Sequence, residues 1–158
     1  MVDIVSPASR SRMMSGIKAK NSQLEILIRR LLFSAGYRFR LHRRDLPGTP
    51  DIVLPGRRIV IFVHGCFWHM HEGCRLAKIP ATRPEFWSAK LHANMVRDKM
   101  ATEKLNASGW RVLYVWECAT RSSIVMGELL TAIENWMASN AKFGEISGNG
   151  LASTEPSN

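Results

Sequence analysis

Residues 59–74, IVIFVHGCFWHMHEGC, constrain this chain more than any other stretch. Ile59, Val60, Ile61, Phe62 and Val63 are five successive apolar residues rich in β-branched types, the pattern of a strand buried on both faces. His64, Cys66, His69, His71 and Cys74 then crowd into eleven positions, taking three of the five histidines and two of the three cysteines. A buried strand that delivers reactive side chains from its C-terminal end is how many α/β sites are built. The expectation is therefore an α/β fold whose functional centre lies just past residue 63.

Charge narrows the class of partner. The 158 residues suit one domain and carry 22 Lys and Arg against 13 Asp and Glu, a net +9, with five tryptophans. Arg10, Arg12, Lys18 and Lys20 face the lone acid Asp3 near the start. Residues 1–20 thus read as a basic arm that orders on a polyanion, nucleic acid above all. No apolar run approaches the roughly 20 residues of a membrane span, and the N-terminus lacks the apolar core of an export signal. Three cysteines, an odd count, argue against a disulfide framework and for a reducing cytoplasm.

The expected domain covers residues 21–143. Ser22 and Glu25 form a capping box for a helix over 23–35, with Leu24, Leu27, Ile28, Leu31 and Leu32 at helical spacing and Gly36 as the stop. Tyr37, Phe39 and Leu41 alternate with Arg38 and Arg40, predicting a strand with one apolar and one basic face. A short strand at 52–54, a Pro55-Gly56 turn and the buried strand complete a meander. A long helix over 87–107, a second buried strand at 110–116 and one amphipathic helix over 123–139 follow. The Gly-, Ser- and Asn-rich residues 144–158 are expected to form a disordered tail.

Three constellations carry chemistry. Cys66, His71 and Cys74 have C-x4-H-x2-C spacing. Cys118 stands just past the other buried strand, so a parallel pairing would close a Cys3His set of the structural-zinc type. Asp51 begins one strand and His64 ends the next, so a hairpin would bring Asp51, His64 and His69 to one patch, an arrangement suited to phosphodiester hydrolysis. Asp51 after Pro50 suits a turn equally well, and Glu25 has a sufficient reason to exist in its cap. Phe67 and Trp68, adjacent in a surface loop, suit stacking on bases. Trp87, Lys90, Asn94 and Arg97 share one helix face that fits either DNA reading or a core anchor beside solvated polar groups.

Assembled, RSRMMSGI, PGTPDIV, HGCFWH, PATRPEFW, Asn94…Arg97-Asp98 and GWRVLYVWEC resemble the very short patch repair DNA mismatch endonuclease family over most of the chain. The resemblance implies a PD-(D/E)xK-like core, a mixed β-sheet flanked by helices. It implies a cytoplasmic, Mg²⁺-dependent endonuclease of bacteria, associated with the nucleoid, that nicks one strand 5′ of the T in T:G mismatches left by 5-methylcytosine deamination. By the same resemblance Asp51 and the Val63 carbonyl hold Mg²⁺, His69 is the general base, His64 assists at the phosphate and Glu25 supports catalysis. Cys66, His71, Cys74 and Cys118 match zinc ligands. Phe67, Trp68 and Trp87 match aromatics that wedge into DNA, Met14 enters from the opposite groove, and Lys90 and Asn94 lie near the mismatched bases. The implied partners are mismatched duplex DNA and other mismatch-repair proteins, acting with a monomer. Val63 stands where some relatives have Thr, and His71-Glu72-Gly73-Cys74 is one residue longer than in some. A nuclease of different sequence preference and a zinc-stabilised DNA-binding protein without catalysis remain as alternatives.

Overall fold

The computed structural model describes residues 22–154. Met14 and the basic arm of residues 1–20 lie outside it. A six-stranded mixed sheet, whose strands lie side by side in chain order, forms the centre. Helix α1 (Gln23–Ser34) begins at Ser22, whose hydroxyl accepts the Glu25 N–H at 3.2 Å. It ends where Gly36 turns left-handed at φ +94° and Tyr37 N–H reaches back to Leu32 O. The predicted strand over 37–41 contracts to β1 (Arg40–Leu41). Tyr37 and Phe39 pack on the core outside the ladder, the Tyr37 hydroxyl donating to Glu134 Oε2 at 2.7 Å, and Leu41 is 40% exposed.

The antiparallel meander continues through β2 (Ile52–Leu54) and β3 (Ile59–His64), with Ile52 opposite Ile61. Long helix α2 (Pro84–Ala107) then leads to β4 (Arg111–Trp116), which runs parallel to β3 in the register His64 opposite Trp116. Helix α2 starts three residues before its predicted position because Pro84 fills the first turn, where no N–H is needed. The single helix expected over 123–139 breaks at Glu128 into α3 (Ser123–Gly127) and α4 (Leu129–Ala138). Gly127, a poor helix former, stands at the break.

One expectation is overturned. Residues 144–154 are no disordered tail: β5 (Phe143–Ser147) pairs parallel to β4, and β6 (Gly150–Thr154) folds back on it. Few apolar side chains are needed because β5 gains ladder hydrogen bonds on both edges and buries Ile146 and Gly144. Gly144 is there for space. A Cβ would come 2.3 Å from Trp136 Nε1 of α4.

The sheet separates two cores. On one side Leu24, Ile28 and Leu32 of α1 meet Ile52, Ile61, Leu113 and Ile146, together with Leu129, Ile133 and Trp136 of α4. On the other, Leu105 of α2 packs with Val60, Phe62, Val112, Tyr114 and Trp116. The result is a three-layer α/β arrangement with β3 and β4 buried on both faces. Among the described residues no helix is long and apolar enough to cross a membrane.

Candidate active site and metal centre

The C-terminal end of β3 opens into a cleft of roughly 1050 Å³ lined by Asp51, Val63, His64, His69, Asn94 and Asp98, among others. The β2–β3 register sets Asp51 one step beyond the Ile52–Ile61 pair. Its Oδ2 accepts the Val63 N–H there at 2.8 Å. Gly48 lets the loop before Asp51 pass close to α2 and β3: its φ is +75°, and a Cβ would press within 2.9 Å of Ala101 and 3.1 Å of Phe62. This is the physical content of the PGTPD segment.

Asp51 is not alone. Glu25 on α1, 2% exposed, accepts a hydrogen bond from His42 Nε2 at 2.9 Å and pairs with Arg29 one turn along the helix. Donor atoms of Glu25, His42 and Asp51 lie within 4.8 Å of one another. Burial raises the Asp51 carboxyl above its ordinary value, against the weaker pull of the Val63 N–H, His42, His69 and Arg29. A buried carboxylate beside further oxygen donors fits a hard divalent cation, which would offset that desolvation. His42 escaped the sequence reading, although the register held the signal. Leu41 opposes Ile52, so residue 42 falls beside residue 51, and His42 N–H donates to Asp51 O at 3.1 Å.

The histidines form a second group. His64 and His69 stack with ring centroids 3.8 Å apart and planes 5° from parallel. His69 Nδ1 lies 2.5 Å from Asp98 Oδ2 on α2. His64 is 3% exposed, and its Nδ1 has no hydrogen-bond partner among the described residues. Burial first, then the neighbouring His69 and His71, holds its imidazole well below the usual histidine value. Burial therefore favours the neutral form of His64, and of the two stacked rings His69 is the one held by a carboxylate. Asp98, one helical turn beyond Asn94, appeared in the sequence only as part of a motif. Pairing it with His69 needs the fold.

The Cys/His set also assembles. Because β3 and β4 run parallel with His64 opposite Trp116, Cys66 and Cys118 emerge side by side two residues later. His71 Nδ1 lies 3.5 Å from the sulfurs of both Cys66 and Cys118, and donor atoms of all four residues, Cys74 included, fall within 4.8 Å. The ligand-to-ligand edges of a tetrahedral zinc site with bonds of about 2.3 Å to sulfur and 2.0 Å to nitrogen are about 3.5–3.8 Å, so the spacing fits. Burial raises the Cys66 and Cys118 thiols and lowers His71. Neutral imidazole is the ligating form, and a bound cation would draw the thiols to thiolates. Gly73, at φ +70°, turns the His71–Cys74 loop without strain.

The aromatics are placed differently from the expected exposed pair. Trp68 is 6% exposed, whereas Phe67 is half-buried and Phe86 is 44% exposed. Pinned by its Cys/His end, the loop folds Trp68 inward against Phe67 and Trp87, with centroids 5.0 and 6.0 Å away. Asn94 Nδ2 donates to Trp68 O at 3.2 Å, and Arg97 donates to Asn94 Oδ1. Lys90 Nζ sits about 6 Å from the rings of Trp68, Phe86 and Trp87. The face of α2 carrying Trp87, Lys90, Asn94 and Arg97 thus turns toward the loop and cleft.

A family model described as DNA mismatch endonuclease Vsr matches residues 2–75. The chain is 54% identical over 118 residues to the type II nicking enzyme V.XorIIP of Xanthomonas oryzae, covering 75% of this chain and 86% of the relative. It is 41% identical over 153 residues to the DNA mismatch endonuclease Vsr of Escherichia coli, covering 96% and 97%. To the type II nicking enzyme V.NmeAIP of Neisseria meningitidis it is 36% identical over 133 residues, covering 84% and 94%.

Proposed function

The chain belongs to the Vsr DNA mismatch endonuclease family and is a DNA endonuclease; from that premise and the cleft we propose that it is Mg²⁺-dependent and nicks one strand of duplex DNA 5′ of the T in a T:G mismatch. Such mismatches arise when 5-methylcytosine deaminates, and the nick would initiate very short patch repair. The observation that carries the reading is the His69–Asp98 contact of 2.5 Å in the cleft that also holds Asp51.

His69 takes a proton from the attacking water through Nε2, because Nδ1 is engaged by Asp98. Asp98 fixes the ring and stabilises the imidazolium that forms. His64 stacks on the His69 face, where burial holds its imidazole well below the usual histidine value and so favours its neutral form. Asp51 and the Val63 carbonyl would hold Mg²⁺, which when bound supplies Lewis-acid charge at the phosphate. Glu25, tied to His42 and Arg29, fixes α1 beside Asp51 and so supports the site. Cys66, His71, Cys74 and Cys118 would hold a structural zinc and so anchor the loop that carries His69. At the DNA, Phe67 and Trp87 form the wedge with Trp68 packed behind them, Lys90 and Asn94 approach the mispair, and Met14 of the basic arm enters from the other groove. The PD-(D/E)xK likeness accords with the α1–β2–β3 arrangement around Asp51.

Relatives named as type II nicking enzymes favour a second reading, the same reaction in a different flanking sequence. Cleavage mapping on a T:G duplex library with randomised flanks, with Mg²⁺ or EDTA, separates the two. Nicks confined to T:G in one sequence context and abolished by EDTA are expected. Equal nicking of matched duplex would refute mismatch specificity.

A further inference from the structure

We propose that the β5–β6 hairpin is a working part of the metal centre: Gly148 N–H donates to the Cys118 sulfur, and Glu145 fixes the Trp116 ring on which His71 rests. This rests on the reading of Cys66, His71, Cys74 and Cys118 as zinc ligands.

Gly148 N–H lies 3.3 Å from Cys118 Sγ, and Cys118 N–H lies 3.3 Å from Cys66 Sγ. A donor aimed at a metal-bound thiolate drains charge from the sulfur, tightens its orientation and is stronger than a neutral hydrogen bond. The hairpin reaches Cys118 because its turn is bare. Ser147 opposes Gly150, so only Gly148 and Asn149 close the loop, and a Cβ on Gly148 would meet Cys118 O at 3.1 Å.

The second contact acts on the imidazole. His71 stacks on Trp116 with centroids 4.0 Å apart and planes 7° from parallel. Trp116 Nε1 donates to Glu145 Oε1 of β5 at 3.1 Å, which sets the plane of the indole. Parallel pairing of Val115 with Ile146 holds β5 in that register. The three metal-site residues that sequence spacing grouped, Cys66, His71 and Cys74, give no hint of this dependence on a segment some 70 residues away.

The test uses full-length protein purified without chelator, with zinc stoichiometry by elemental analysis and zinc release to a chromophoric chelator. Gly148→Ala, which displaces the N–H, should release zinc at least about tenfold faster than wild type, in line with the cost of losing an outer-shell partner. In the Co²⁺-substituted protein the same variant should shift the sulfur-to-cobalt charge-transfer band, which a general loosening of the fold would not. Glu145→Ala should also release faster, and Glu145→Gln, which keeps an acceptor for Trp116, should restore the wild-type rate. That pair decides the matter if Gly148→Ala does not fold. One zinc per chain with wild-type release rates in both Gly148→Ala and Glu145→Ala would overturn the hairpin's role alone. Absence of zinc from the wild type would overturn the zinc reading beneath it.

Discussion

At the scale of single residues, the stacked histidines sit in different surroundings, and the proposed mechanism gives them different roles. His69 is within reach of solvent and paired with Asp98, so His69→Ala should cost roughly 10²–10⁴-fold in nicking rate, the usual worth of a general base. Asp98→Asn should lose part of that by releasing the ring. Single-turnover rates on T:G duplex check both, and a wild-type rate in His69→Ala would remove it from the mechanism. His64 makes a prediction about stability. Its folded value lies well below the ordinary 6.5, so below about pH 6.5 the unfolded chain takes up a proton that the folded chain refuses. Stability from this group is therefore complete above pH 6.5 and is lost as pH falls toward the folded value, by at most about 1.4 kcal/mol per pH unit. Urea midpoints at about pH 7.5 and about pH 5.5 should drop more for wild type than for His64→Phe. An equal drop in the two chains would assign the acid sensitivity elsewhere.

At the scale of elements, Gly144 shows how a residue that reads as flexible can be a packing device. Gly144→Ala would drive a methyl into the fully buried Trp136 indole and should cost about 1–3 kcal/mol, as overpacking does. Gly56→Ala, with open space around it, should be near neutral, and thermal unfolding of the two variants makes the comparison. The same residue explains why β5 was hidden in the sequence. Periodicity finds strands through apolar side chains, and Phe143-Gly144-Glu145-Ile146-Ser147 offers few of them because the neighbouring indole takes up the space. The Gly148-Asn149 pair was the available signal, a two-residue hairpin turn. The buried strands, α1 with its cap and the meander were legible because their residues speak for themselves through run, cap and alternation. The Cys66–Cys118 convergence was legible as a condition, since a parallel pairing of two apolar runs was enough to imply it. His42 and Asp98 were not. Asp98 joins the cleft only through its contact with His69, and His42 comes beside Asp51 only once β1 and β2 are paired, so a tertiary contact decides each.

At the scale of the whole molecule, two kinds of DNA affinity should separate. The net charge of +9 supplies attraction to any duplex, steeply weakened by salt as counterion release requires. The aromatic group is proposed to supply something else. Phe67 and Trp87, 5.5 Å apart, sit on Trp68, which is held at its carbonyl by Asn94 and is itself buried. Wedging them between bases costs a few kcal/mol of unstacking per step. A T:G wobble stacks less favourably than a matched pair, so on the proposed reading the wedge would open a mismatch at lower cost and gain selectivity without reading a base edge. Phe67→Ala should therefore weaken binding to T:G duplex and leave the salt-dependent binding to matched duplex nearly unchanged. Trp68→Ala should do the same by removing the support beneath the wedge. Lys90→Ala, close to the rings yet exposed, should instead relax which mispair is accepted. Titrations of each variant on matched and T:G duplexes at two salt concentrations decide the matter. An equal loss on both duplexes would make the aromatics part of the general affinity, and mismatch selection would then have to come from contacts to base edges in the cleft.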